Sequence, residues 1–250
     1  MGFRLRASGL HLLISAAVAL IFGLFVFLLW YPPPFAMLAG GLILFTMLVG
    51  IDVVLGPFLT ALVANPKKPR SELRRDIGLI VVVQLLAFGY GVYSIALARP
   101  VHLVFEVDRL TVVSAADIDA DQLIKASPAY QKLPWTGPTL IAARKSESGS
   151  EMTRSLDLGL QGIDISMQPE RWVDYNANAA AVLKKARSVK ILLDKYPELT
   201  DELKTVASRH ELTVENIRFL PMTSRRESGV ALIAASDARF LGYLAVDGFF

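Results

Sequence analysis

Few residues in this chain are typed and spaced to do chemistry, and one acid stands apart from the rest. Asp52 lies inside the apolar run Phe35–Val63, 29 residues long. An ionisable side chain buried among apolar residues at membrane depth is costly, and it normally faces protein or a water-filled cavity. Asp52, Gly56, Thr60 and Ala64 recur every four residues, so on a helix they form one narrow face of small or polar groups. Small residues let helix backbones approach closely in a membrane. Two readings follow for Asp52. It is tied to Gln84, Ser15 or a backbone carbonyl within the chain's own helices, or its face meets a transmembrane helix of another protein.

Other candidates are weaker. The three histidines, His11, His102 and His210, have no metal-binding spacing, and cysteine is absent, which excludes disulfides, thiolate catalysis and Cys-based metal sites. No serine sits in a G-x-S-x-G elbow or an S-x-x-K motif. Gly40-Gly41 and Gly89-Tyr90-Gly91 lie in apolar runs, where close packing is the natural use of glycine. A proton relay needs a second ionisable group near the depth of Asp52, and only His11, near one end of its run, is on offer. The residues imply neither an enzyme, a metal site nor a cofactor.

The elements that must position Asp52 are membrane spans. His11–Trp30 is a 20-residue apolar run behind Arg4 and Arg6, long enough to cross a bilayer at about 1.5 Å per residue. It ends in Trp30-Tyr31 and Pro32-Pro33-Pro34, an aromatic belt and a forced turn, so it reads as an uncleaved anchor. Phe35–Val63 exceeds one span, which predicts tilt or a kink near Pro57. Ile77–Ala98 is the third span and carries Gln84 and Gly91. Residues 1–98 hold seven Lys/Arg against three Asp/Glu, and residues 99–250 hold 19 against 20. The basic balance therefore belongs to the membrane half and does not indicate nucleic acid. Lys67, Lys68, Arg70, Arg74 and Arg75 fill the second loop, while Tyr31–Pro34 carries no charge. The positive-inside rule then puts the N-terminus and that loop in the cytoplasm and residues 99–250 outside, in a bacterium the periplasm.

The exported half, 99–250, reads as α+β on an antiparallel sheet. Val101–Val107 alternates as a half-buried strand, with Asp108-Arg109 as a bulge or tight turn before Leu110 and Val112. Ala115–Ser127 predicts a short helix, Thr139–Arg144 a strand and Lys145–Ser150 a polar loop. Asn176–Tyr196 has helical spacing, and a second helix follows Pro197. Ile217–Met222, Val230–Ala234 and Gly242–Val246 predict three strands. His102 is expected on the polar face of its strand and His210 at a helix end.

Several segments together resemble one family. They are His11-Leu12-Leu13-Ile14-Ser15, Trp30-Tyr31-Pro32, Gly50-Ile51-Asp52-Val53-Val54-Leu55-Gly56-Pro57, Asn65-Pro66-Lys67-Lys68, and Arg99-Pro100-Val101 through Phe105-Glu106-Val107-Asp108-Arg109. In order and spacing they resemble the type IV pilin accessory protein family, strongly over residues 5–115. That resemblance implies an inner-membrane protein that promotes assembly or surface display of a cognate pilin without catalysis, as a chaperone or assembly modulator, with consequences for twitching motility. Partners implied are the major type IV pilin, other pilus assembly proteins and the lipid bilayer, with no nucleic acid. No catalytic residues carry over.

Positions matching the family motifs are Asp52, Gly56, Pro57, Arg99, Asp108 and Arg109. With Thr60, Gln84 and Gly91 they form the set expected to bind a partner or pack helices. Asp108-Arg109 has a plainer reading as a turn-stabilising pair. The rival function is an envelope sensor or adaptor whose exported domain binds a ligand. It would need an output module, and the topology leaves only short cytoplasmic segments.

Overall fold

The computed structural model describes residues 2–250. The chain divides into two compact units, one ending at Arg99 and the other running Pro100–Phe250.

The first unit holds three helices long and apolar enough to cross a membrane: Gly2–Trp30, Gly41–Val63 and Arg70–Ala98. Each is longer or shorter than its apolar run for a local reason. The first helix begins nine residues before His11, because Gly2–Leu10 contains no breaker of helical geometry strong enough to stop it. The second loses its first turn: Phe35–Leu38 is a separate short helix, and Gly40 at φ 74° interrupts the chain before Gly41. Glycine adopts that left-handed backbone without steric cost. The third starts at Arg70 rather than Ile77, its charged first turns held by Lys68, which pairs with Glu72 at 3.3 Å and Asp76 at 2.7 Å.

Asp52 sits in a wide π-helical stretch, Gly50–Leu55. Pro57 supplies a physical reason. It has no N–H for the carbonyl four residues back, at Val53, and its ring crowds that group. An extra residue per turn relieves both faults without breaking the helix.

The second unit is an eight-stranded mixed sheet with helices, an α+β arrangement. Its strands lie in the order Trp172–Asp174 (β4), Thr139–Ala143 (β3), Pro100–Glu106 (β1), Arg109–Ser114 (β2), Ile217–Thr223 (β6), Ser228–Ala234 (β7) and Phe240–Leu244 (β8), with Arg187–Ser188 (β5) also paired to β6. The hairpin of β1 (Pro100–Glu106) and β2 (Arg109–Ser114) lies at the centre. On one side β3 (Thr139–Ala143) runs parallel to β1 and antiparallel to β4 (Trp172–Asp174). On the other, β6 (Ile217–Thr223) runs parallel to β2 and opens the meander with β7 (Ser228–Ala234) and β8 (Phe240–Leu244). Antiparallel hairpins are thus stitched together by two parallel pairings. Such pairings link strands distant in sequence, and local alternation does not reveal them.

Two apolar clusters build this unit. One gathers Val104, Val113, Ile141 and Trp172 around the central strands. The other sets Phe219, Val230 and Leu232 against Leu192 and Leu203 from the helices Val189–Lys195 and Thr200–Arg209.

Several expectations change here. β1 is buried at every position rather than on one face, because it is an interior strand between β2 and β3. His102 is consequently buried and not on a polar face. The helix expected over Ala115–Ser127 is two tight turns, Ala115–Asp117 and Ala120–Lys125. Ser114 and Asp117 close a capping box on the first, and the Asp119 side chain caps the second. The helix expected over Asn176–Tyr196 is cut by β5 (Arg187–Ser188), which pairs with Phe219 and Arg218 of β6. Sheet pairing outweighs the helical spacing there, and Ser188 restarts the helix by accepting from the Lys190 N–H. The helix Gly149–Leu160, where only a loop to Ser150 was expected, begins at Ser148, whose Oγ accepts from the Glu151 N–H.

Candidate functional site

The second span is the spine of the membrane unit. Along the face begun by Asp52, each following residue is taken up by a neighbour. At Gly56 an added Cβ would stand 2.0 Å from Nε2 of Gln84, so the Gln84 side chain of the third span packs directly on the glycine and would have to move for any larger residue. Thr60 is buried, and its Oγ1 shares a 2.6 Å hydrogen bond with Nδ1 of His11 on the first span. The Ala64 carbonyl accepts from Nε of Arg4 at 2.9 Å. Gln84 donates from Nε2 to the backbone carbonyl of Asp52 at 3.3 Å, not to its carboxylate. Gly91 packs on Leu48, whose Cδ1 would lie 2.5 Å from an added Cβ. Pro57 is buried in the first turn after the wide stretch.

The Asp52 carboxylate is the exception. Its Oδ1 is buried without a hydrogen-bond partner among the described residues. It lines an open cleft of about 440 Å³ between the first and third spans, floored by the second. One end of this cleft is closed. Phe22 and Phe88 meet edge to face at 5.4 Å, and beyond them the Tyr31 hydroxyl donates to the Ile95 carbonyl at 2.7 Å. From Phe22 and Phe88 the cleft runs toward Ala7 and Ile77. His11, Ser15, Thr60 and Gln84 give its interior a polar patch beside Asp52, and the remaining walls are apolar.

The other expected residues lie elsewhere. Arg99 is mostly buried at the end of the third span and donates to the Ala96 carbonyl at 2.6 Å. Asp108 and Arg109 pair with each other at 2.9 Å beside the β1–β2 turn, where Val107 adopts φ 51°. Arg109 also lies 4.8 Å from the centre of the Phe249 ring. The pair lies beside that turn in the second unit, and the rest of the set belongs to the first.

A second cavity, of about 580 Å³, lies in the α+β unit and includes Glu106, Arg109, Thr223 and Arg225. Several of its charges are engaged. Glu106 accepts from Thr111 Oγ1 at 2.7 Å and from the Ser166 N–H at 2.9 Å, while Arg225 pairs with the buried Asp117. Nearby, Arg171 is fully buried and spreads its guanidinium over Gln168, the Arg144 and Glu151 carbonyls, Ser146 and Ser155. Glu151 accepts both Arg144 nitrogens, at 2.8 and 3.1 Å, which holds its pKa down at about 2. These residues lock the Arg144–Arg171 region together; sequence reading passed over them because nothing in their spacing marks them as partners. Among the described residues, no three His, Asp or Glu side chains are grouped to hold a metal ion.

Fold and site together define a class: a three-helix membrane-associated protein carrying an α+β domain. Comparison with known proteins gives the family. The model described as fimbrial assembly protein FimB matches residues 1–40. The fimbrial assembly protein of serogroup I from Dichelobacter nodosus is 35% identical over 248 residues, 99% of this chain and 96% of that protein. Its serogroup E1 counterpart is 34% identical over the same length and shares. The protein of serogroups C1 and C2 is 44% identical over 124 residues, 50% of this chain and 95% of its own length. No solved structure matches. The chain belongs to the fimbrial assembly protein family, the type IV pilus accessory group.

Proposed function

We propose that this protein assists assembly or surface display of a cognate type IV pilin, by helix–helix contacts in the bacterial inner membrane and by contacts of its α+β domain outside. It acts as a scaffold, without catalysis. The observation that carries the reading is full-length similarity to proteins named for fimbrial assembly, in a chain with three helices long enough to span a bilayer.

The basic loop supports the orientation. Lys68 is engaged by Glu72 and Asp76, and Arg75 also reaches Asp76, yet Lys67, Arg70 and Arg74 add further positive charge as a cytoplasmic-side anchor. The N-terminus is then cytoplasmic and Pro100–Phe250 periplasmic. Such a protein can meet a pilin twice, at its membrane stem and at its exported head.

Deleting the gene tests the reading. Surface pili and twitching should be lost while pilin is still synthesised and membrane-inserted. Unchanged piliation would reject it. Reporter fusions at the second loop and at Phe250 test the orientation, which fails if the loop is found outside.

A further inference from the structure

We propose that the cleft between the first and third spans is a docking groove for one transmembrane helix of a partner, which brings a hydrogen-bond donor to Asp52. The inference rests on the assembly reading, which makes that partner the apolar stem of a pilin.

Shape is the first argument. On the first span the lining residues run from Ala7 to Phe22, and on the third from Ile77 to Phe88. At 1.5 Å per residue these walls are about 22 and 16 Å long. The cleft is therefore a trough several helical turns long, closed at Phe22–Phe88 and unfilled by this chain. Its apolar walls are bare: Val18 is 45% exposed and Leu85 65%.

Chemistry then separates the possible occupants. An acyl chain is also long and thin, but it has no group to donate to a carboxylate. Asp52 is the twelfth of 23 residues in the second span, so it lies near mid-membrane, far from headgroups. Its Oδ1 has no hydrogen-bond partner: Gln84 donates to the Asp52 backbone carbonyl, His11 Nδ1 is bonded to Thr60, and neither of them bonds to the carboxylate. A helix carrying a donor, neutral or cationic, near the middle of its apolar length satisfies both the trough and the acid. The small-residue seam below it is already used by the chain's own spans, so the partner reads the cleft and not the Gly56–Ala64 face.

Site-specific photocrosslinking tests this in membranes of pilin-producing cells, with the full-length protein. Probes replace Val18 or Leu85, which line the cleft, or Leu20 or Val83, which are exposed and do not. Pilin products should form from Val18 and Leu85 only. Asp52→Leu should lower their yield about tenfold, the factor that matches one interhelical polar contact, and Asp52→Asn less. Because Asp52→Leu can disturb packing, Val18→Trp provides a second variant: it fills the trough from an exposed position and should abolish crosslinking from Leu85. Pilin products from Leu20 or Val83 alone would overturn the cleft while leaving the assembly role intact. Lipid products alone at all four positions would also overturn it, and if the deletion strain were normally piliated the assembly reading would fall separately. Equal yields with Asp52 and Asp52→Leu would overturn the assignment of a donor.

Discussion

Acidification should weaken the α+β unit through His102. The ring is 2% exposed, with Nδ1 2.7 Å from Thr139 Oγ1 and its centre 4.6 Å from that of Trp172. Nε2 is buried without a hydrogen-bond partner among the described residues. A neutral ring that donates from Nδ1 to Thr139 leaves only a bare lone pair at Nε2. An imidazolium would bury both a charge and an N–H with nothing to receive them. Burial therefore depresses the pKa from 6.5 to about 4. Between those values the unfolded chain binds the proton and the folded chain does not. The stability is thus fully present above pH 6.5 and is lost as the pH falls toward 4. With each pH unit worth about 1.4 kcal/mol, that interval costs about 3 kcal/mol. A urea dependence of about 2 kcal/mol per molar converts the loss to a midpoint lowered by about 1.5 M.

The assay is urea unfolding of the full chain in detergent micelles, followed by tryptophan fluorescence at several pH values. His102→Gln, which can keep a bond to Thr139 and does not titrate, should show a much flatter curve between pH 6.5 and 4. Glu151 does not confuse the interval: its depressed pKa removes stability only as the pH falls from about 4.5 toward about 2. Parallel losses in the two proteins would refute the reasoning. So would a 13C-histidine signal that the variant assigns to His102 but that titrates near 6.5.

Other substitutions probe the packing. Gly41→Ala would set a Cβ 2.4 Å from the ring of the buried Tyr31, which is pinned by its bond to Ile95. It should cost about 1–3 kcal/mol, read as a lower melting temperature in micelles. Gly50→Ala, with nothing within 4 Å of the new atom, should leave melting unchanged or raise it slightly. Arg171→Ala strands the polar groups gathered on a fully buried guanidinium and should cost about 3–5 kcal/mol, with faster proteolysis between Arg144 and Ser155. Leu232→Ala opens the core between β7 and its covering helices and should cost about 2–5 kcal/mol, measured by the urea midpoint.

What could be read from the sequence was whatever a single segment states by itself. Three apolar runs announce three spans, and the closing meander is visible because Ile217–Thr223, Ser228–Ala234 and Phe240–Leu244 are local neighbours separated by turn residues. A turn near Asp108 was legible for the same reason, although it falls at Val107-Asp108 and Arg109 already opens β2. What was hidden depends on distant partners. No local pattern tells His102 that β3 arrives from 37 residues away to pair with it. Ala186–Ser188 has helical spacing until β6 claims it. The cleft was hidden more thoroughly. Val18, Val81 and Leu85 look like any lipid-facing residues, because hydropathy does not distinguish a wall from an outer surface.

The spacing at Asp52 was informative and incomplete in a way the geometry now explains. A stripe of small residues requires only that some helix approach. Gly56 admits Gln84, Thr60 holds His11 and Ala64 receives Arg4, so the approaching helices are the chain's own. None of those contacts needs a carboxylate at position 52. Gln84 uses only the backbone carbonyl there, which any residue would supply. Alanine or serine would complete the seam at lower cost in a membrane, where an acid is among the most expensive residues to keep. The side chain that helix packing does not explain is also the one that borders the unfilled trough. On that ground Gly56, Thr60 and Ala64 belong to the architecture of the membrane unit, and Asp52 is the residue that the proposed docking would use.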